Sequence, residues 1–413
     1  MTGFCALVLA DEPRPRDETL VKSGTTAFRN TILALFCAGF ATFALLYYVQ
    51  PLLPVFSETF GLGAAQASLA LSATTGLMAP AMLVAGAISE TLGRKPVMVA
   101  SVLASAFLTL AMSFAPTWSA ILVLRAAAGL TIAGLPAVAM AYVAEEIAPT
   151  AIGLAMGLYI GGSALGGMAA RLVAGFLADL GSWRSATLAL GALGVIAGLV
   201  FWRNLPPSRH FAKRPFSTRE LAQGFLAHLR EPGLRLLVFE GFLIMGSFVS
   251  VYNYIGYRLI APPFELTPTG VGLIFSVYLV GIISSPATGA VAARLGLRNV
   301  FWVMIALMSC GVALTLSSSL FVVMAGIALL TFGFFGAHSI ASAWVGRRAR
   351  SAKAQAASLY LFLYYVGSSV IGSLGGIFWQ RDGWNGLVAL VSLLLCAAFL
   401  IALRLRKLEP LSI

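Results

Sequence analysis

Twelve apolar runs, each about 20 residues long, dominate the chain, and that is the length an α-helix needs to cross the hydrocarbon core of a bilayer. They fall near residues 31–56, 66–90, 97–115, 117–144, 151–178 and 183–202, then near 235–259, 269–291, 299–317, 320–345, 354–379 and 384–403. Lipid offers no hydrogen bonds to a backbone, so a crossing segment closes its own as a helix or shares them in a sealed barrel. The runs are continuous and lack the ten-residue alternation of barrel strands, which selects helices. Only 10% of the residues are charged and 59% are hydrophobic, whereas soluble proteins carry about 25% charged residues. A soluble globular fold is excluded.

The expected fold class is therefore an all-α membrane protein of twelve transmembrane helices in two six-helix halves. The boundaries are a tail at 1–30, an N-terminal six-helix bundle at 31–202, a linker at 203–234, a C-terminal bundle at 235–403 and a tail at 404–413. The linker is polar, holds Pro206, Pro207, Pro215, His210 and His228, and predicts an amphipathic surface helix around 217–230. Orientation follows from Lys and Arg, which concentrate in short cytoplasmic loops. With the N-terminus inside, the basic residues of the tails, of the linker and of the loops at Arg94 and Lys95, Arg294 and Arg298, and Arg347 to Lys353 all fall on one side. Arg184, Arg258 and Arg381 fall opposite, and Arg125 and Arg171 lie within spans. Both termini are expected to be cytoplasmic, in a bacterial inner membrane. The net charge of +12 is then a topology signal and not a nucleic-acid footprint. The apolar first ten residues have no basic region before them and are followed by Asp11 and Glu12, which is not the pattern of a cleaved signal peptide.

The two halves repeat each other. Gly86-x5-Leu92-Gly93-Arg94-Lys95 recurs 203 residues later as Gly289-x5-Leu295-Gly296-Leu297-Arg298. Leu158-Tyr159 recurs as Leu359-Tyr360, Gly-Ser-Trp183 as Asp-Gly-Trp384, and Ala-Tyr142-Val-Ala-Glu145-Glu146 aligns with Ala-Trp344-Val-Gly-Arg347-Arg348. Such repeats are the build of secondary transporters, which rock one half against the other around a central site.

The stretch Gly86-Ala-Ile-Ser-Glu90-Thr-Leu-Gly93-Arg94-Lys95 resembles the signature between spans 2 and 3 of the major facilitator superfamily, with Glu90 where Asp is usual and Thr91 where a basic residue is frequent. Arg125-x-x-x-Gly129 resembles the basic motif of proton-driven members, and Gly162-Ser163-Ala-Leu-Gly166-Gly167 resembles the antiporter motif, with Ser163 where many have Pro. The stretches around Tyr47, Pro96, Asn253 to Arg258 and Ser358 are similar to the YnfM-like inner-membrane transport proteins. The resemblance implies an efflux carrier for small molecules.

Several residues stand out on physical grounds. Gly86 and Gly93 shape the loop after span 2, Gly93 permitting a tight turn, while Glu90, Arg94 and Lys95 put charge at its face. The repeat places Glu145 and Glu146 where the second half has Arg347 and Arg348. A cytoplasmic latch follows as an expectation, with Glu145 or Glu146 meeting Arg294 or Arg298, and Glu90 meeting Arg347 or Arg348, when the opposite side is open; a plain positive-inside anchor is the alternative. Arg125 and Arg171 each cost about 2.5–3.5 kcal/mol to insert near a helix centre. Each either binds neighbouring carbonyls or hydroxyls as structure, or meets an anionic substrate group. For proton coupling the candidates are Glu240, the carboxylate well inside an apolar run, and His338, which titrates near neutrality when unperturbed. An ion pair with Arg235 is the structural alternative for Glu240, and a hydrogen-bonded core histidine is that for His338. Tyr48 and Gln50 in span 1, Asn253 and Tyr254 in span 7 and Tyr364 in span 11 are expected to contact substrate, since tyrosine offers a ring face with a hydroxyl. Glycines at 157, 161, 162, 166, 372 and 376 suit close helix approach.

Four scattered cysteines and three histidines give no metal site or disulfide framework, and no cofactor is expected. The expected partners are a small-molecule substrate, protons and the lipid bilayer, with no nucleic acid and with one chain functional as a monomer. The main reading is a proton-coupled exporter of small amphipathic organic molecules. The rivals are an uptake carrier or facilitator for sugars or organic anions and, from another class, a membrane-embedded lipid-handling protein or enzyme. No nucleophile-base spacing favours the enzyme.

Overall fold

The computed structural model of the chain describes residues 20–211, 218–349 and 352–408. The apolar stretch 1–10, Arg14, Arg16, Pro215 and Arg350 lie outside the described residues.

Helix α1 (Thr26–Tyr47) starts where the Thr25 hydroxyl accepts the Phe28 N–H at 3.1 Å, a side-chain cap for an orphan donor. The first crossing breaks at a short turn, Gln50–Leu52, and continues as α2 (Leu53–Phe60). Pro51 and Pro54 explain the break, since proline removes a donor and clashes with the preceding turn. The first half is completed by α3 (Ala64–Leu92), α4 (Arg94–Met112), α5 (Trp118–Ile132), α6 (Gly134–Glu146), α7 (Pro149–Leu180) and α8 (Trp183–Asn204). Here α5 and α6 are one crossing, interrupted at Ala133 just before Pro136. Helix α3 carries Pro80 inside it without ending, as the helix Tyr278–Leu295 of the second half carries Pro286.

Helix α9 (Thr218–Arg230) lies in the linker, at the position its amphipathic pattern predicts. The second half contains α10 (Pro232–Ile260), α11 (Pro268–Ile274), α12 (Tyr278–Leu295), α13 (Leu297–Leu314), α14 (Leu320–Arg348) and α15 (Lys353–Lys407). Helix α15 is two crossings: Asp382 and Gly383 have non-helical angles in its middle. The described helices thus supply twelve crossings.

The repeat is visible in geometry as well as in letters. Gly93 and Gly296 end α3 and α12 with φ of 101° and 86°, values that favour glycine. A Cβ on Gly162 of α7 would stand 2.5 Å from the Phe36 carbonyl oxygen of α1. Gly166 likewise meets the Phe40 carbonyl, and its counterpart Gly367 in α15 meets the Phe242 carbonyl of α10. Gly157 and Gly161 face nothing within 4 Å. Of the two glycine stripes expected to pack in α7, only Gly162 and Gly166 do so.

Among the described residues, hydrogen bonds between the halves gather at the end of the bundle away from the linker. Ser57 meets Tyr257 at 2.7 Å, Tyr257 donates to the Leu53 carbonyl at 2.8 Å, the Thr269 N–H donates to Asp179 at 2.8 Å, and Ser369 donates to the Ser72 carbonyl at 2.8 Å. No ion pair or hydrogen bond among the described residues joins the halves at the linker end. The halves are closed at the far end.

Candidate functional site

At the centre of the far-end closure, Gln50 Nε2 donates to Asn253 Oδ1 at 2.9 Å. These residues are 203 positions apart, the offset of the Gly86 and Gly289 motifs, so equivalent points of the two halves meet each other. A two-fold relation between halves brings equivalent positions together at its axis. Both side chains are buried.

Arg171 of α7 closes on the same point. Its Nε donates to Gln50 Oε1 at 2.8 Å, Nη1 to the Gly167 carbonyl at 2.6 Å, and Nη2 to the Tyr278 hydroxyl of the other half at 3.2 Å. Its guanidinium lies 4.5 Å from the Tyr47 ring centroid and 4.4 Å from that of Tyr278, with Phe275 at 5.1 Å. The side chain is fully buried, and its partners are all neutral. The aromatic faces offset part of the desolvation of the cation, but no carboxylate compensates it. Asn253 Nδ2 is also buried with no acceptor among the described residues. The junction therefore presents donors in excess of acceptors.

Arg125 behaves differently. Its Nε, Nη1 and Nη2 donate to the carbonyls of Ala70, Leu45 and Leu46 at 2.7, 2.9 and 2.8 Å, and it lies over the Tyr48 ring. All of these partners belong to the first half, and the residue is 1% exposed. In this conformation Arg125 ties α5 to α1 and α3, the structural alternative to a substrate contact. The Tyr48 hydroxyl donates to Met112 Sδ at 3.2 Å inside the first half. A helix turns about 100° per residue, so Tyr47 and not Tyr48 faces the junction. Tyr254, buried in α10, faces α15. It donates to the Gly372 carbonyl at 2.8 Å and stacks on Trp379, as interhelix packing.

In the second half, Glu240 is fully buried and both carboxyl oxygens lack a hydrogen-bond partner among the described residues. The alternative pairing with Arg235 is not formed, and Arg235 is exposed. His338 Nδ1 lies 3.0 Å from the Tyr360 hydroxyl, and its ring stands 4.8 Å from that of Tyr364. Phe334 stacks on Phe248 at 3.8 Å and on His338 at 6.1 Å. Tyr278 and Phe275 were not expected from the sequence. Neither lies on a repeat motif or carries charge, and only the fold brings them to Arg171.

The charged residues at the linker end pair within their own half or with the linker. Arg94 forms a two-point contact with Glu145, Nη2 to Oε1 at 2.8 Å and Nε to Oε2 at 3.1 Å, and also donates to Ser89 at 2.6 Å. Glu146 accepts the backbone N–H groups of Arg209 and His210 at 2.7 and 2.8 Å and meets His210 Nδ1 at 3.0 Å. Lys95 donates to the Leu205 carbonyl. Arg348 pairs with Glu231 at 2.8 Å. Burial acts to raise the Glu231 carboxyl, but hydrogen bonds from Arg348 and from the Leu234 and Gly233 amides outweigh it and hold the group below the ordinary carboxylate range. Arg294, Arg298 and Arg347 are exposed, and Glu90, half-buried, has no ion pair among the described residues. The latch pairs expected across the halves are not made in this conformation: Glu145 and Glu146 are engaged nearer home, and no hydrogen bond or ion pair among the described residues joins the halves at that end.

Among the described residues no group of three or more potential metal ligands occurs. A groove of ≈ 500 Å³ opens beside the start of α1, lined by Arg29, Asn30, Leu33, Phe36 and Leu158 among others.

The family described as the Major Facilitator Superfamily matches residues 32–259. An uncharacterized MFS-type transporter of Bacillus subtilis, YybF, is 46% identical over 92% of this chain and 94% of its own. The inner membrane transport protein YnfM of Escherichia coli is 46% identical over 94% of this chain and 93% of its own. Among solved structures, a bacterial homologue of the human lysosomal transporter Spinster, inward-facing and unoccupied, superposes with a TM-score of 0.75 at 15% identity, covering 93% of this chain and 99% of that one.

Proposed function

The chain belongs to the major facilitator superfamily, and from that premise we propose that it exports small amphipathic organic molecules across the bacterial inner membrane by alternating access, as a proton-coupled antiporter working as a monomer. The observation that carries the reading is the junction of Gln50, Asn253, Arg171 and Tyr278. It joins the halves at one end of the bundle only, as a carrier that exposes its site to one side at a time requires. The inner membrane comes from the relative YnfM. On the expected orientation the linker end is cytoplasmic, so this conformation faces inward.

Substrate is held by Gln50, Arg171, Asn253 and Tyr364. Arg171, a cation with neutral partners, favours an anionic group on the substrate, and the groove at Arg29, Asn30, Leu33 and Phe36 offers charge and apolar surface together. Glu240 and His338 exchange the proton. When the far end opens, the linker end closes through Glu90, Glu145 and Glu146 against Arg294, Arg298, Arg347 and Arg348. Glu145 must then leave Arg94, while the tight turn from Gly86 through Gly93 to Lys95 holds the loop in place.

Labelled aromatic carboxylates, lipophilic cations and sugars offered to energised inside-out vesicles test this reading. Accumulation of one amphipathic class, lost in Arg171→Leu, is the expected result. Equilibration of a sugar or organic anion without accumulation would replace the exporter with the facilitator, and uptake indifferent to Arg171→Leu would remove the substrate role of that residue.

A further inference from the structure

The two groups assigned to coupling differ in access. Glu240 is fully buried with both oxygens unpartnered among the described residues, and an uncompensated negative charge in such a place is strongly disfavoured. His338 is only half-buried. Between them stands Tyr360, which is 1% exposed. Its hydroxyl lies 3.0 Å from His338 Nδ1, and its ring presses on Gly241, the neighbour of Glu240, where an added Cβ would come within 2.8 Å of Cε2. The His338 ring is held between Phe334 at 6.1 Å and Tyr360 at 5.6 Å, with interplanar angles of 7° and 26°. Buried acid, tyrosine hydroxyl and half-buried base thus come from three different helices, α10, α15 and α14. The other groups near this stretch are Tyr364 on α15 and, along α10 toward the linker, the exposed Arg235.

We propose that Tyr360 is the positioning residue that links His338 to Glu240 and carries the coupling proton between them. This rests on the proton-coupled reading. In the step, protonated His338 gives its Nδ1 proton to the Tyr360 oxygen as the Tyr360 hydroxyl proton passes to a Glu240 carboxylate oxygen. The tyrosine ends as it began, the histidine ends neutral and the acid ends protonated. The Glu240 carboxyl is not bonded to the hydroxyl in this conformation, so the link closes when the Glu240 side chain changes rotamer, which gates the exchange.

Infrared spectroscopy of the full chain in lipid vesicles tests this without any substrate. The protonated-carboxyl band that Glu240→Gln removes is followed after transfer to heavy water. Deuteration at least tenfold slower in Tyr360→Phe, which keeps the ring, and in His338→Asn is the expected result. Equal rates in wild type and both variants would overturn the proposal, as would a wild-type spectrum with no band for Glu240→Gln to remove. His338→Asn keeps the test open should Tyr360→Phe fail to fold. A silent transport panel would refute the coupling reading while leaving the exchange result intact, so the two failures are distinguishable.

Discussion

Replacing Gln50 by alanine removes the residue at the meeting point of the halves. Two hydrogen bonds go with it: the neutral one to Asn253 at 2.9 Å and the charge-assisted one from Arg171 at 2.8 Å. A neutral bond contributes about 1 kcal/mol net and one to a charged group about 1.5–3 kcal/mol. Only the bond to Asn253 is tied to the closed far end, because Gln50 and Asn253 belong to different halves whereas Gln50 and Arg171 belong to the same one. Once that end opens, water serves the same donor, so that loss falls on one state. A shift of about 1 kcal/mol multiplies the ratio of far-end-open to far-end-closed molecules by about five. Spin labels at Glu58 and Glu265, both exposed at the far end and on opposite halves, report this by pulsed electron spin resonance in liposomes. The expected result is a new, longer-distance population in Gln50→Ala. A distance distribution identical to that of the parent would refute the reasoning, since the junction would then not be holding the far end shut.

Arg125→Leu removes three buried hydrogen bonds to carbonyls of α1 and α3 and should lower stability by about 2–4 kcal/mol; thermal unfolding in detergent checks this, and an unchanged midpoint would dismiss the helix tie. Gly162→Val should impair folding, because its Cβ would stand 2.5 Å from the Phe36 carbonyl oxygen, whereas Gly157→Ala, with nothing within 4 Å, should be tolerated; yields of monodisperse protein compare the two. The Glu231 carboxyl is held below its unfolded value, so the stability it lends is present above that unfolded value and lost as pH falls through the folded one. Glu231→Gln should therefore cost about 1 kcal/mol at neutral pH and progressively less in acid, a convergence that denaturation at several pH values would show or exclude. Glu145→Gln should slow closure of the linker end, read as greater labelling of a cysteine placed there; flat labelling would end the latch.

The crossings were legible because apolar length is a strong signal: the first one predicted at 31–56 is Thr26–Phe60 in the structure. The breaks inside crossings 1 and 4 were visible only as prolines, and the one inside crossing 8, at Phe275–Val277, has no proline to mark it. Pro51 and Pro136 coincide with interruptions, but Pro80 and Pro286 sit in helices that run through them, since whether a proline breaks a helix depends on what the neighbours offer the freed carbonyls. The meeting of Gln50 and Asn253 was implicit in the repeat offset. Sequence could not separate Arg125 from Arg171, as both are arginines near span centres, and only packing shows one spent on carbonyls and the other standing between the halves. The choice of Tyr48 over Tyr47 turned on one residue of helix rotation, below the precision of a span drawn from hydropathy. Charge complementarity between the halves suggested the latch, but it carries no information on which conformation makes it.

The central claim is coupled exchange through alternating access, and the most direct test is proton movement in inside-out vesicles with an acidic interior. Amphipathic anions, lipophilic cations and sugars are added one at a time while the internal pH is followed. The account predicts that one amphipathic class releases the internal acid, and that Glu240→Gln abolishes the release while the compound still binds. An unchanged internal pH across the panel, with labelled compounds still crossing the membrane, would contradict it.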